Sequence, residues 1–164
     1  MLTIIEAVST SQFKTIAKLA TEIWNEHYTP IIGKDQVNYM LDKFQSSDEI
    51  YSQVQDGQAY YLIEHKDLPI GYFCIYPVEE NLFLSKLYIL VAFRAQGIGK
   101  FAFDFIQNKA REFSLKTIFL TVNIHNTNAI ASYEKMGFAN QGPTKADIGA
   151  GYVMDDYRMV KKID

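Results

Sequence analysis

The chain has 164 residues, of which 48% are hydrophobic and 21% charged, proportions that are ordinary for one globular domain spanning residues 1–164. Its net charge of −3 gives no sign of a nucleic-acid-binding face. The single cysteine excludes an internal disulfide, and the three histidines are far apart, so no metal site is predicted. Because no signal peptide or membrane-spanning apolar run is visible, we expect a soluble, cytoplasmic protein.

Apolar periodicity predicts the elements of the N-terminal half in chain order. A strand over residues 2–7 precedes a helix that begins in a capping box, Ser9-x-x-Gln12, and ends near Asn25. Pro30 disfavours a helical Thr29, so a turn is predicted there. Two short helices and a hairpin of two strands follow, at residues 34–44, 48–54, 58–64 and 70–76.

The C-terminal half predicts a strand–helix–strand crossover and two closing strands. A largely buried strand at 82–91 leads through a glycine-containing loop into a helix at 98–113 and a strand at 117–123. A helix follows at residues 126–135, with Asn126 as N-cap and Gly137 as its end. The closing strands, at 138–141 and 152–160, are joined by a loop that contains glycine and proline. Three strands before the crossover and two after it imply a mixed sheet with packed helices.

The loop before the helix at residue 98 has the parts of an anion site. Its two glycines, Gly97 and Gly99, let a phosphate approach the backbone, and the first N–H groups of the helix have no partner inside it. We therefore predict a phosphate-bearing cofactor. Five residues separate the strand from Gly97, which argues against a dinucleotide fold, and Phe101 after Lys100 excludes a nucleotide P-loop.

Two motifs carry a family resemblance. The first, Arg94-x-x-Gly97-x-Gly99, resembles the pyrophosphate-binding motif of the GNAT superfamily of N-acetyltransferases, which bind acetyl-coenzyme A. The second, Asn126-x-x-Ala-x-x-x-Tyr133-x-x-x-Gly-Phe, resembles the second signature of that family. They occur in the family's order with a strand between them, so the chain is identified as a member of this superfamily.

The resemblance implies an α/β fold, with a mixed, mainly antiparallel sheet of about seven strands and flanking helices. The fourth and fifth strands should form a parallel central pair that splays apart to hold acetyl-CoA. The main chain of the fourth strand should pair with the pantetheine arm and direct one N–H group at the thioester oxygen. The strand residues concerned are Leu87, Tyr88 and Ile89.

The resemblance also assigns roles along the two motifs. The pyrophosphate should be bound by the loop residues Arg94, Ala95, Gln96, Gly97, Ile98, Gly99 and Lys100, although Lys100 is alternatively a solvated helix residue. Asn126 should bond the pantetheine arm, or act only as a helix cap. Tyr133 should protonate the departing thiolate as general acid, or only pack under the sheet.

The sequence defines the general base and the substrate that accepts the acetyl group less clearly than it defines the cofactor site. Many relatives carry a glutamate on the fourth strand where this chain has Phe83-Leu84-Ser85-Lys86, so His27, Glu26 or a water chain is left as the base, unless a neutral amine is captured directly. Asp155 and Asp156 could attract a cation but are expected to be solvated. The base is therefore left open.

The expected acceptor is a primary amine of a small molecule. The segment 24–40 lies where the family builds its acceptor lid, and its layout resembles that of bacterial polyamine acetyltransferases. This makes a diamine or polyamine the expected acceptor, with Trp24, Glu26, His27 and Tyr28 as contacts. The alternatives are acetylation of a protein N-terminus or lysine, and a noncatalytic acyl-CoA-binding module. A monomer or homodimer is expected.

Overall fold

Seven strands and five α-helices make up most of residues 1–163, the part of the chain that the computed structural model describes. The helices are α1 Thr10–Ile32, α2 Lys34–Gln45, α3 Ser47–Gln55, α4 Ile98–Glu112 and α5 Thr127–Lys135. The strands are β1 Leu2–Glu6, β2 Ala59–His65, β3 Leu68–Val78, β4 Asn81–Ile89, β5 Thr117–Asn123, β6 Ala139–Gly149 and β7 Tyr152–Lys162. Apart from α1 and β6, the predicted elements are present with ends displaced by one or two residues at most.

The strands form one mixed sheet in the order β1-β2-β3-β4-β5-β7-β6. β4 and β5 run parallel, with Asn81–Phe83 of β4 paired to Thr117–Phe119 of β5, and both strands continue beyond these pairs. The β1–β2, β2–β3, β5–β7 and β6–β7 pairs are antiparallel. The predicted mixed sheet with a central parallel pair is therefore confirmed.

The contacts divide the chain into two compact units. The first consists of residues 1–76 and 86–106, and the second consists of residues 77–85 and the chain from 107 onward. The first unit therefore contains α1 to α3, β1, β2, most of β3, the end of β4 and the start of α4. The second contains the last two residues of β3, the start of β4, the end of α4, and β5, α5, β6 and β7. A single N-acetyltransferase domain over the whole chain stays a prediction.

The predicted end of α1 is wrong. The capping box at Ser9 is present, but α1 continues without a turn at Pro30 and ends at Ile32. Proline lacks an N–H group and so removes only the bond to the carbonyl of Glu26, while the N–H of Gly33 closes the last turn on Thr29 O at 3.0 Å. Packing of the buried apolar face of α1 outweighs this single loss. The candidate acceptor residues consequently lie on a regular helix.

The predicted loop between the closing strands is also wrong. β6 runs from Ala139 to Gly149 and pairs with β7, with register shifts at Asn140/Pro143 and Asp147/Gly149. β6 is the last strand in the sheet order, so a proline is tolerated at its bulge. The hairpin turn consists of Ala150 and Gly151, both with positive φ.

Candidate active site

The predicted phosphate loop leads from β4 into α4 in the first unit. One turn of 3-10 helix, Val91–Phe93, follows β4, and α4 begins at Ile98. Ala95 and Gly97 have φ angles of 61° and 79°, and this left-handed conformation is costless only for the glycine. These two residues turn the chain from the strand into the helix.

The N-terminus of α4 offers backbone donors to an anion. The first hydrogen bond of the helix runs from the Phe101 N–H to Gly97 O at 3.0 Å, so the three N–H groups of residues 98–100 precede the helical ladder. Buried Ile98 anchors this turn. Lys100 points outward, with 79% of its side chain exposed, and pairs with Asp104 at 3.2 Å. The main chain, rather than the lysine, therefore defines the anion site.

Arg94 connects the loop to α1. Its Nε donates to Ile89 O at 3.0 Å, and its Nη1 lies 3.6 Å from Glu26 Oε1. The two side chains are 37% and 42% exposed, so the ion pair contributes little to stability. A weak pair of this kind can be exchanged for a phosphate at small cost.

The end of β4 is held by β3 at a point that the sequence analysis missed. A Cβ at Gly71 would lie 2.5 Å from Tyr88 O and 3.3 Å from Ile89 Cα. The Leu90 N–H also donates to Ile70 O at 2.8 Å. Gly71 is therefore needed for the close approach of the backbone segment that was assigned to the thioester. A glycine inside a predicted buried strand was the available signal.

Aromatic side chains of α1 and β4 form one cluster, consisting of Trp24, His27, Tyr28 and Tyr88. The hydroxyl groups of Tyr28 and Tyr88 are 2.9 Å apart. The Trp24 ring makes edge contacts with both tyrosines at 5.7 and 5.6 Å, and His27 lies 4.7 Å from the Tyr28 ring. Trp24 is only 3% exposed, whereas the other three are partly exposed. The buried Trp24 ring thus packs against both Tyr28 and Tyr88 on their interior side.

The surroundings of His27 favour the neutral form of its imidazole. Partial burial and, to a smaller extent, the nearby Arg94 charge lower the pKa of His27 below 6.5, against an opposing effect of Glu26. The imidazole is therefore a weaker base than that of an exposed histidine.

Buried hydroxyl and amide groups form a chain of hydrogen bonds next to Tyr88. The Tyr72 ring packs at 5.7 Å from the Tyr88 ring, and its hydroxyl donates to Gln45 Oε1 at 2.6 Å. Gln45 Nε2 donates to the Tyr60 hydroxyl at 3.0 Å, and this hydroxyl donates to Gln53 Oε1 at 2.5 Å. Burial raises the pKa of both Tyr60 and Tyr72, so the phenols stay protonated. Such a satisfied network makes this part of the unit rigid.

Lys86 lies on β4 in the region where many relatives carry a glutamate. Burial lowers the pKa of its ammonium group, and nearby Cys74 acts in the opposite direction. Burial also raises the pKa of Cys74 to about 11, so this cysteine is an inert, buried thiol at neutral pH. Neither side chain replaces the missing carboxylate.

The second unit contains the second sequence motif. Asn126 caps α5, with its Oδ1 accepting from the Ala129 N–H at 3.3 Å, and it is 8% exposed. The capping role is therefore present. Tyr133 is half-buried and meets the Phe138 ring edge-on at 5.5 Å. α5 ends before Gly137, whose φ is 100°, as predicted.

The two adjacent acids of β7 differ sharply, contrary to the expectation that both are solvated. Asp155 is partly exposed and pairs with Lys145 at 3.7 Å. Asp156 is 6% exposed, and its Oδ1 has no hydrogen-bond partner within residues 1–163. Burial, reinforced by the charge of Asp155, raises the pKa of Asp156 from 3.8 to about 6. Asp156 lies opposite Asn123, the last residue of β5.

The second unit also has a surface groove of about 970 Å³, whose lining does not include Asp155 or Asp156. It borders Asn81 and Thr117, the first residues of β4 and β5, and contains none of the predicted site residues. Residues 1–163 show no cluster of potential metal ligands and no helix that is long and apolar enough to cross a membrane.

Comparison with known proteins decides the family. Residues 16–138, about three quarters of the chain, match the model of the acetyltransferase (GNAT) family. The chain belongs to the GNAT acetyltransferase family. It is 33% identical over 96 residues to the uncharacterized N-acetyltransferase YjgM of Escherichia coli (strain K12), covering 56% of this chain and 58% of that protein.

Two further similarities agree with this family. The chain is 29% identical over 109 residues to the probable N-acetyltransferase san of Drosophila melanogaster, with 63% of this chain and 59% of that protein covered. It thus spans less than two thirds of the length of both curated relatives. The crystal structure of the PaiA N-acetyltransferase from Thermoplasma acidophilum in complex with coenzyme A covers 99% of both chains with a TM-score of 0.80 and 18% identity, which shows a shared fold.

In this GNAT protein, the predicted site residues are brought together in two groups. Glu26 contacts Arg94, and Tyr28 contacts Tyr88, so the candidate acceptor helix meets both the loop and β4 in the first unit. In the second unit Asn126 is fastened to the end of β5, because its N–H donates to Asn123 O at 2.9 Å. The structure adds Gly71 to these residues, and it shows that Asp156, which was expected to be solvated, is buried.

Proposed function

We propose that the protein is an acetyl-CoA-dependent N-acetyltransferase that acts on the primary amine of a small molecule by direct attack on the thioester. The observation that carries this proposal is the loop between β4 and α4. It combines the motif Arg94-x-x-Gly97-x-Gly99 with three N–H groups at a helix N-terminus, in a chain of the GNAT family.

The cofactor would be held mainly by backbone groups. The N–H groups of residues 95–100 bind the pyrophosphate, and Arg94 exchanges its weak pair with Glu26 for a phosphate oxygen. The main chain of residues 87–89, fixed against Gly71, pairs with the pantetheine arm and polarises the thioester carbonyl. Each of these contacts uses a group that the fold already positions.

Asn126 and Tyr133 would complete the cofactor site. Asn126 bonds the pantetheine arm while it caps α5, and Tyr133 protonates the leaving thiolate as general acid. Asn126 precedes the first turn of α5, and Tyr133 follows about two turns further along the helix. The sequence motif of the family supports both roles.

A diamine or polyamine is the acceptor that the aromatic cluster suits best. The partly exposed rings of Tyr28 and Tyr88 can contact a cationic amine through their faces, and the exposed carboxylate of Glu26 attracts a second ammonium group. His27, whose pKa is lowered, adds less repelling charge than an exposed histidine would. An aromatic wall beside a carboxylate thus favours cationic acceptors.

An acceptor panel tests this proposal. Purified protein and acetyl-CoA are mixed with 1,4-diaminobutane, spermidine, a lysine peptide, a peptide with a free N-terminus, or buffer, and coenzyme A release is followed by its thiol. We expect the two amines to release thiol fastest. Faster release with a peptide would make the protein a peptide acetyltransferase, and binding of acetyl-CoA without release in any mixture would make it a noncatalytic module.

A further inference from the structure

Asp156 carries a buried carboxyl oxygen that no group of the described chain satisfies. Its Oδ1 lacks a hydrogen-bond partner within residues 1–163, although the residue is only 6% exposed. Leaving a charged oxygen unsatisfied away from water is costly, and such groups in native proteins call for a functional explanation. A bound amine would supply the missing donor.

The residues that pair with Asp156 in the sheet carry no charge. In the sheet register it lies opposite Asn123 of β5 and Thr144 of β6, and both of these are uncharged. Arg158, two residues further along β7, is opposite Thr121. Its guanidinium lies 4.1 Å from the centre of the Phe119 ring, towards the start of β5 and away from Asn123.

Two neighbouring groups make contacts with residues other than Asp156. Lys145 of β6 pairs with Asp155, and the backbone N–H of His125 donates to Asn123 Oδ1 at 2.9 Å. Asp155 adds a like charge, which disfavours ionisation of Asp156. Within residues 1–163, no salt bridge joins Asp156 to a basic side chain.

Asp156 of β7 lies beside the end of β5, just before the turn that leads into α5, the proposed cofactor-binding helix. Asn123 lies beside it, and the Ile124 N–H donates to Asp155 O at 3.1 Å. The Asn126 N–H then donates to Asn123 O at 2.9 Å. The turn that aims Asn126 and begins α5 is therefore bonded to the same residues that flank Asp156.

We propose that Asp156 is the general base that removes the proton from the acceptor nitrogen during acetyl transfer. This role rests on the proposed acetyltransferase function. The neutral amine nitrogen attacks the thioester carbon, a C–N bond forms, and one N–H proton passes to Asp156 Oδ1. The C–S bond then breaks with its electron pair on sulfur, which takes a proton from the Tyr133 hydroxyl. Asp156 afterwards loses its proton to solvent, and the tyrosine regains one.

The other candidate bases fit this role less well. Glu26 is exposed and pairs with Arg94, so its carboxylate stays solvated. The pKa of His27 is lowered by burial and by Arg94, which makes the imidazole a weaker proton acceptor. Asp156, with a pKa of about 6, is ionised at neutral pH yet more basic than an exposed aspartate.

The test compares kcat at saturating acceptor between pH 5 and 9 for wild type, Asp156→Asn, His27→Gln and the matched control Asp155→Asn. Wild type should lose activity as the pH falls through about 6. Asp156→Asn should lower kcat at pH 7 by roughly 10²- to 10⁴-fold and remove this acidic limb, while the affinity for coenzyme A is unchanged. His27→Gln should keep the limb. Asp155→Asn should keep most of the activity and shift the limb to lower pH, because a like charge has been removed.

A second variant distinguishes a direct role of the carboxylate in proton transfer from an indirect effect on the structure. Asp156→Ala leaves a space beside Asn123, and added formate should restore part of its activity by acting as a substitute carboxylate. A kcat of Asp156→Asn within about threefold of wild type, a higher KM with unchanged kcat, or a limb that disappears only in His27→Gln would each overturn the base role. Wild type that binds coenzyme A but acetylates no amine would instead refute the proposed function, and the base role with it.

Discussion

Asp156→Asn should make the folded protein more stable at pH 8 and leave its stability nearly unchanged at pH 4. The pKa of Asp156 is raised from 3.8 to about 6 in the folded state, so the folded protein binds the proton more tightly than the unfolded chain does. The stability therefore falls as the pH rises from about 4 to 6, and the full cost is present above pH 6. Asparagine has the same shape and no charge to bury.

The size of the effect follows from the same two pKa values. Their difference, from 3.8 to about 6, corresponds to about 3 kcal/mol of unfolding free energy at pH 8. For a chain of this length that free energy raises the melting temperature by roughly 6 to 12 °C. Below pH 4 the protonated aspartic acid and asparagine are nearly equivalent, so the difference should vanish there.

Urea unfolding of both proteins, at several pH values between 4 and 8, measures this difference. Asp155→Asn is the matched control, because its carboxylate is 46% exposed and paired with Lys145. That variant should gain less stability, and only through the lower pKa of its neighbour. If Asp156→Asn were no more stable than wild type at pH 8, the carboxylate would not be buried at a cost. A gain that was equal at pH 4 and pH 8 would assign the effect to packing instead of charge.

Three further predictions concern the cofactor site. Acetyl-CoA should raise the melting temperature more than NADH or ATP does, and Gly99→Val should abolish this shift without unfolding the protein; equal stabilisation by NADH would refute the cofactor. Tyr133→Phe should lower kcat by roughly 10²- to 10⁴-fold at unchanged coenzyme A affinity, and an unaffected kcat would assign the proton to another group. Gly71→Ala places a Cβ 2.5 Å from Tyr88 O, so it should weaken coenzyme A binding in calorimetry; unchanged affinity would show that the end of β4 is not part of the site.

The sequence predicted the sheet and the loop because local pattern and fold agree there. β5 has the predicted bounds, Thr117–Asn123, since an apolar run between turn signals has few alternatives. The start of α4 at Ile98 was also predicted, because apolar residues at helical spacing follow Gly97 there. The phosphate loop is thus encoded by residues that are close together in the chain.

The errors arose where tertiary contacts outweigh local preference. Pro30 disfavours a helix locally, but its position in the last turn of α1 costs one hydrogen bond and the packed helix tolerates it. Gly142 and Pro143 are typical of loops, but pairing with β7 extends β6 through them at a bulge. Gly71 was seen only as part of a strand, because the approach of the Tyr88 backbone depends on the neighbouring strand.

Asp155 and Asp156 show most clearly what the sequence could not supply. Both are acids in one strand, and alternation places them on opposite faces without saying which face is covered. The sheet order decides this, because β7 lies between β5 and β6 and Asp156 is flanked by Asn123 and Thr144. In most of a fold, charged side chains lie in water or beside a partner, and this match stabilises the fold. A buried carboxylate without a partner departs from that rule. Such contradictions are expected at functional positions, and at Asp156 the cost in stability is the same property that makes the carboxylate a stronger base.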